Sequence, residues 1–191
     1  MKLKKTQKAM LYSLKLFSGL GLLTLLIMFM SCNNNKKENK DEDVADMMSV
    51  KENNSTVSAY VSFIQADTSQ MSLDHAFTNE ALSELMAATT AMAGEIGFDV
   101  KGDMDKVKEY ANNITKNPYE TSHADDIRKA ADILSTVLYN MQQAKYADLA
   151  NEAGEVKSAA TAINPDVLTL DQKDAVKSFF DKSADLLQKM N

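Results

Sequence analysis

The sequence predicts an all-α protein: an antiparallel helical bundle of about five to six helices behind a disordered tether. Three observations carry that expectation. Apolar residues recur at three- and four-residue spacing in six successive stretches after residue 53. Val, Ile and Thr show no sustained alternation, so no strand is expected. The two prolines, Pro118 and Pro165, fall between periodic stretches and not within them. Long amphipathic stripes joined by short connections favour a bundle. A helical solenoid would use the same elements, although no internal repeat of solenoid length is visible.

Each element has its own signal. Val57, Tyr60, Val61 and Ile64 stand at i, i+3, i+4 and i+7, which predicts a short helix near 55–67. A longer one is expected over 73–96, with Phe77, Leu82, Leu85, Met86, Thr89, Met92, Ala93 and Ile96 inward and Gly97 as its stop. Asp103 can cap a third helix, 104–116, which Asn117-Pro118 ends. Ser122 can start a fourth, with Asp125 and Asp126 in a first turn that favours negative charge. Its inward stripe runs from Ile127 to Ala144. A fifth helix is expected from about Tyr146 to Ile163, with Gly154 as a possible kink and Asn164-Pro165 as its end. Thr169 and Gln172 have the spacing of a capping box for the last helix, about 170–190, which would bury Val176, Phe179, Phe180, Leu187 and Met190.

The first 32 residues are of a different kind. Lys2, Lys4, Lys5, Lys8 and Lys15 are the only charges before Lys36. An uncharged, mostly apolar run, Leu16 to Met30, follows, and then Ser31-Cys32, with the only cysteine in the chain. A basic head, a short apolar core and a small residue before the cut describe an export signal. The run is short of the ~20 residues that a spanning helix needs. Positive charge ahead of it keeps that end cytoplasmic and sends the remainder outward.

Phe29-Met30-Ser31-Cys32 resembles the lipobox of bacterial lipoproteins: Leu, then a small or aliphatic residue, then Gly, Ala or Ser, then Cys. Ser31 and Cys32 match, and Phe29 and Met30 match more loosely. The resemblance covers residues 1–32 alone. It implies a diacylglycerol on the Cys32 thiol, cleavage before Cys32 and acylation of the new amino terminus. Two or more chains would anchor the protein stably. The expected organisation is therefore a signal peptide at 1–31, a lipidated Cys and flexible tether at 32–52, and a helical-bundle domain at 53–191. The expected location is the bacterial cell envelope, on the exported side of the membrane.

Cleavage would remove five lysines and no acid, moving the formal net charge from −6 to −11. Such a surface repels phosphate backbones, so no nucleic acid is expected as a partner. It repels anionic lipid heads as well, which leaves the acyl chains to hold the membrane. Residues 33–43 contain no apolar side chain, a composition that favours disorder. Fully extended, the tether would reach ~70 Å. With Cys32 lipidated, the exported part has no thiol for a disulfide or a Cys-based zinc site.

Candidate chemistry is sparse. No nucleophile motif, phosphate-binding loop or haem-attachment motif is present, so no enzymatic activity and no cofactor are expected. Asp99 to Asp105 superficially suggests a calcium loop but lacks its order of acids, and helix capping explains it better. His75 and His123 are the only histidines, each near the start of a long helix. If the intervening helix returns the chain, both stand at one end of the bundle. His75, Met71, His123 and Asp126 then form an alternative reading as transition-metal ligands, since soft thioethers select Cu(I). The plainer reading makes each histidine a solvent-facing or cap-associated residue, and Met86, Met92, Met104 and Met141 core filler. The leading expectation is a binding or scaffolding domain, anchored to the membrane by lipid, with an envelope protein or ligand as partner. Its contacts would come from the histidine end and from any exposed aromatic among Tyr110, Tyr119, Tyr139 and Tyr146.

Overall fold

The computed structural model describes residues 53–66, 75–116 and 123–191. The expected leader and tether, with Cys32, and also Met71, Asn117-Pro118, Tyr119 and Ser122, lie outside the described residues. Within them the chain forms α1 (Ser55–Ala66), α2 (Ala76–Glu95), α3 (Lys101–Lys116), α4 (Ala124–Lys145), α5 (Ala150–Ala162) and α6 (Lys173–Met190). Short 3₁₀ turns at Ala147–Leu149 and Thr169–Gln172 precede α5 and α6. No strand occurs among the described residues.

Each helix packs on its neighbours in sequence, and α1 packs on α6, so the six close into a ring. The α2 helix also reaches α4 and α6 and is the most enclosed. Side-chain pairs fix the directions. Asn113 of α3 meets Asp126 of α4, Arg128 of α4 meets the end of α5, and Lys189 of α6 meets Glu152 of α5. Consecutive helices are therefore antiparallel, and the bundle has two distinct ends. The near end holds the start of α1, the α2–α3 and α4–α5 connections, and Asn191. The far end holds the starts of α2, α4 and α6.

The expected stripes form the core. Val57, Tyr60, Val61 and Ile64 are all buried, as are Phe179, Phe180, Leu187 and Met190 of α6. Phe180 meets Phe77 edge-on at 5.9 Å and Phe179 at 5.3 Å, and the Tyr60 hydroxyl donates to the Phe180 carbonyl at 2.9 Å. Burying each such side chain stabilises the fold by roughly 1.5–3 kcal/mol. Fully buried Ala81, Ala88, Ala93, Ala130, Ala131 and Ala160 let the helices approach closely. Met92, Met104 and Met141 are core, whereas Met86 is half-buried at a groove.

Several local expectations need correction. Asp103 does not cap α3, which begins two residues earlier. Asp99 is the cap, its carboxylate accepting the Lys101 N–H at 3.0 Å. The capping box at Thr169 does not form. Gln172 turns back instead, accepting the Asn164 N–H and donating to the Asn164 and Val167 carbonyls, so it staples the α5–α6 loop. Gly154 does not interrupt α5. Ala144 is exposed, and Gln142 is buried in its neighbourhood, donating to the Tyr146 carbonyl at 2.9 Å. Gly97 acts as expected. At φ 66° it lets the Phe98 N–H reach the Ala93 carbonyl (2.8 Å) while its own N–H meets Gly94 (3.3 Å).

Candidate functional site

The far end brings the chain's two histidines together. His75 immediately precedes α2 and His123 immediately precedes α4, and their carbonyls accept the first helical N–H groups, from Asn79 and Ile127 at 3.0 Å each. The imidazole rings meet edge to face, 5.6 Å between centroids and 79° between planes. His75 is 0% exposed and His123 6%, so the solvent-facing expectation is wrong for both. Neither caps its helix with a side-chain hydrogen bond. The return path through α3 makes α2 and α4 parallel, and that topology juxtaposes residues 48 positions apart.

His75 is also the one non-glycine residue with positive φ among the described residues, at 53°. A Cβ in left-handed backbone costs about 1–2 kcal/mol, and histidine is among the residues that tolerate it better. Nothing in the periodicity of the sequence signals this conformation.

Of the remaining expected ligands, Met71 lies outside the described residues and Asp126 has a partner of its own. Asp126 accepts a hydrogen bond from Asn113 at 3.3 Å, across to α3. Asp125 pairs with Lys129 at 3.0 Å, and that ammonium holds its carboxyl below the usual range. Among the described residues, no three His, Cys, Asp or Glu side chains cluster as a metal cage. Of the expected ligands, the described residues show contact between the two imidazoles.

Sequence reasoning missed other features of this end. Arg128 donates through one Nη1 to the Thr161 and Ile163 carbonyls, both at 2.9 Å, capping the end of α5. Its Nε holds Asp132 at 2.8 Å. Only its place as the one arginine of the chain marked it out. Leu168, in the α5–α6 loop, is 48% exposed and is the exposed large apolar side chain among the described residues. Of the tyrosines expected as exposed aromatics, Tyr110, Tyr139 and Tyr146 are half-buried. Tyr110 and Tyr139 lie beneath Lys129 and Lys157, and Tyr146 packs on the core.

Elsewhere a groove of about 660 Å³ runs along the outer face of α2, over Ser83, Met86, Ala87 and Thr90, with Lys108 on its α3 wall. No described helix is long and apolar enough to cross a membrane.

The fold defines an all-α protein, its described residues forming a closed ring of six helices with a histidine pair at one end. No protein-family model matches the chain, and neither the curated proteins nor the solved structures contain a significant match to it.

Proposed function

We propose that this is a lipid-anchored protein of the bacterial envelope whose six-helix bundle serves as a binding or scaffolding domain. One observation carries the reading: the two ends of the bundle differ, and the leader-bearing segment joins the near one. Asn54, where that segment enters α1, is tied to Asn191 and to Glu95 by hydrogen bonds of 2.6 Å each. A domain leashed there through residues 32–52 is attached by its near end, and its far end is left unobstructed by the attachment. The exposed Leu168 at that far end is then accessible to an envelope protein or ligand. The acidic surface supports anchoring by acyl chains over adsorption of the domain to anionic lipid.

Site-specific photo-cross-linking in the intact envelope tests the reading. Cross-linkers at Leu168 (far end) and Lys145 (near end) are compared. The expected result is one reproducible adduct from Leu168 and none from Lys145. Equal labelling from both positions, or none from either, overturns it.

A further inference from the structure

We propose, resting on the reading of Leu168 as a contact residue, that the α5–α6 loop of one copy docks through Leu168 into the α2–α3 groove of a second copy of this chain. A lone exposed leucine is ordinary on a protein surface. This one, 48% exposed, differs because the loop that carries it is fixed in place. The Gln172 side chain accepts the Asn164 N–H at 2.8 Å and donates to the Asn164 and Val167 carbonyls at 2.7 and 2.8 Å. Asn164 also accepts the Asp166 N–H on its side chain at 2.9 Å and the Val167 N–H on its carbonyl at 3.2 Å. The Leu168 carbonyl accepts the Asp171 N–H at 2.9 Å, and Thr169, the next residue, is fully buried. A loop held this way has little further ordering to lose on binding.

The groove supplies the complement. It runs over Met86, Ala87, Ala91 and Ala111 and carries Lys108 on its α3 wall. Alanine leaves room for an inserted side chain, and the unbranched Met86 can shift to fit one. Exposed Asp166 and Asp171 flank Leu168, opposite in sign to Lys108, so the two surfaces match in charge as well as in polarity. In the ring α4 lies between α3 and α5, and α1 between α2 and α6, so loop and groove occupy different sides and the contact joins two molecules. One leucine and a short loop cover less than the ~1,200 Å² of a stable interface. The raised effective concentration of copies held on one membrane compensates for that small area.

The test uses the protein as extracted from membranes, prepared in natural and heavy-nitrogen forms and mixed in phosphatidylethanolamine vesicles. One form carries a photo-cross-linker at Asn112, on the rim of the groove. The expected adduct joins α3 of that form to residues 164–172 of the other. Leu168→Ser in the other form should reduce it roughly tenfold, with helical circular dichroism unchanged. Asp166→Lys in the loop-bearing form, or Lys108→Glu in the groove-bearing form, should each reduce it about threefold, and the two together should restore it. An adduct confined to one isotopic form, one undiminished by Leu168→Ser, or none at all overturns the proposal. A Leu168 cross-linker that then captures a different envelope protein leaves the binding-domain reading standing and refutes the second copy alone. A Leu168 cross-linker that captures nothing refutes both.

Discussion

The two ends of this bundle satisfy their helix starts in different ways. At the near end, Asn54 accepts the Thr56 and Val57 N–H groups at 2.9 and 3.3 Å, and Asp99 accepts that of Lys101. Asn191 closes the ring there by accepting the Asn54 N–H and donating to its carbonyl. At the far end none of the three helix starts has a side-chain cap bond: His75, His123 and Gln172 occupy those positions. Replacing Ser, Thr, Asp or Asn at an N-cap typically costs ~1 kcal/mol. Sequences depart from such local rules mainly where function or strain intervenes. The near end is thus closed through Asn54 and Asn191, although its third helix start, that of α5 after Leu149, has no side-chain cap bond either.

The strongest way to break this contrast is to remove the tie that the far end does have. Arg128→Ala should destabilise the domain by about 2–3 kcal/mol, because two helix-end carbonyls lose a charged donor. Arg128→Lys should restore little of it, since one ammonium does not reproduce the planar fork. Chemical denaturation measures both.

At the near end Asn54→Ala should cost about 1–2 kcal/mol through loss of the cap. Asn191→Ala should cost less. The double variant should cost less than the sum, because the two residues share one network. Additive losses would show that the closure is not a unit.

Between the ends, Tyr60→Phe should cost about 1 kcal/mol by losing the bond to the Phe180 carbonyl. Burial, assisted by Asp181, pushes the Tyr60 phenol well above its ordinary range. The fold therefore favours the neutral phenol. Its contribution is complete below the unfolded value of ~10 and is lost as pH rises past it toward the folded value. Wild-type stability should fall steeply above pH ~10, and that of Tyr60→Phe less steeply. The smallest effect should be a gain. The Thr89 hydroxyl on α2 is buried without a hydrogen-bond partner, so Thr89→Val should stabilise by up to ~1 kcal/mol. Thermal melts of both variants across pH would show these differences.

The fold was legible where one periodic stripe meets one core. Val57 to Ile64 was read in full, and every residue expected inward on the last helix is buried, although Ser183, Ala184 and Leu186 are buried beside them, because burial follows the 3.6-residue repeat. The Gly97 stop was legible because positive φ calls for glycine. Cap identities were not, because several polar residues compete at each helix start and tertiary contacts choose among them. Asp99 wins over Asp103, and the Asn164 loop draws Gln172 away from a capping box. The Asn54 cap did have a signal, an asparagine just before the first apolar repeat. The histidine pair was half legible. Topology placed both residues at one end, but their burial and the 5.6 Å contact depend on packing that no local pattern encodes.

The most direct test of the account is the intact mass of the protein extracted by detergent from envelope membranes. The expected species begins at Cys32, lacks residues 1–31 and carries the added mass of a diacylglyceryl group and an amide-linked acyl chain. A full-length, unmodified chain recovered from the soluble cytosolic fraction would contradict it.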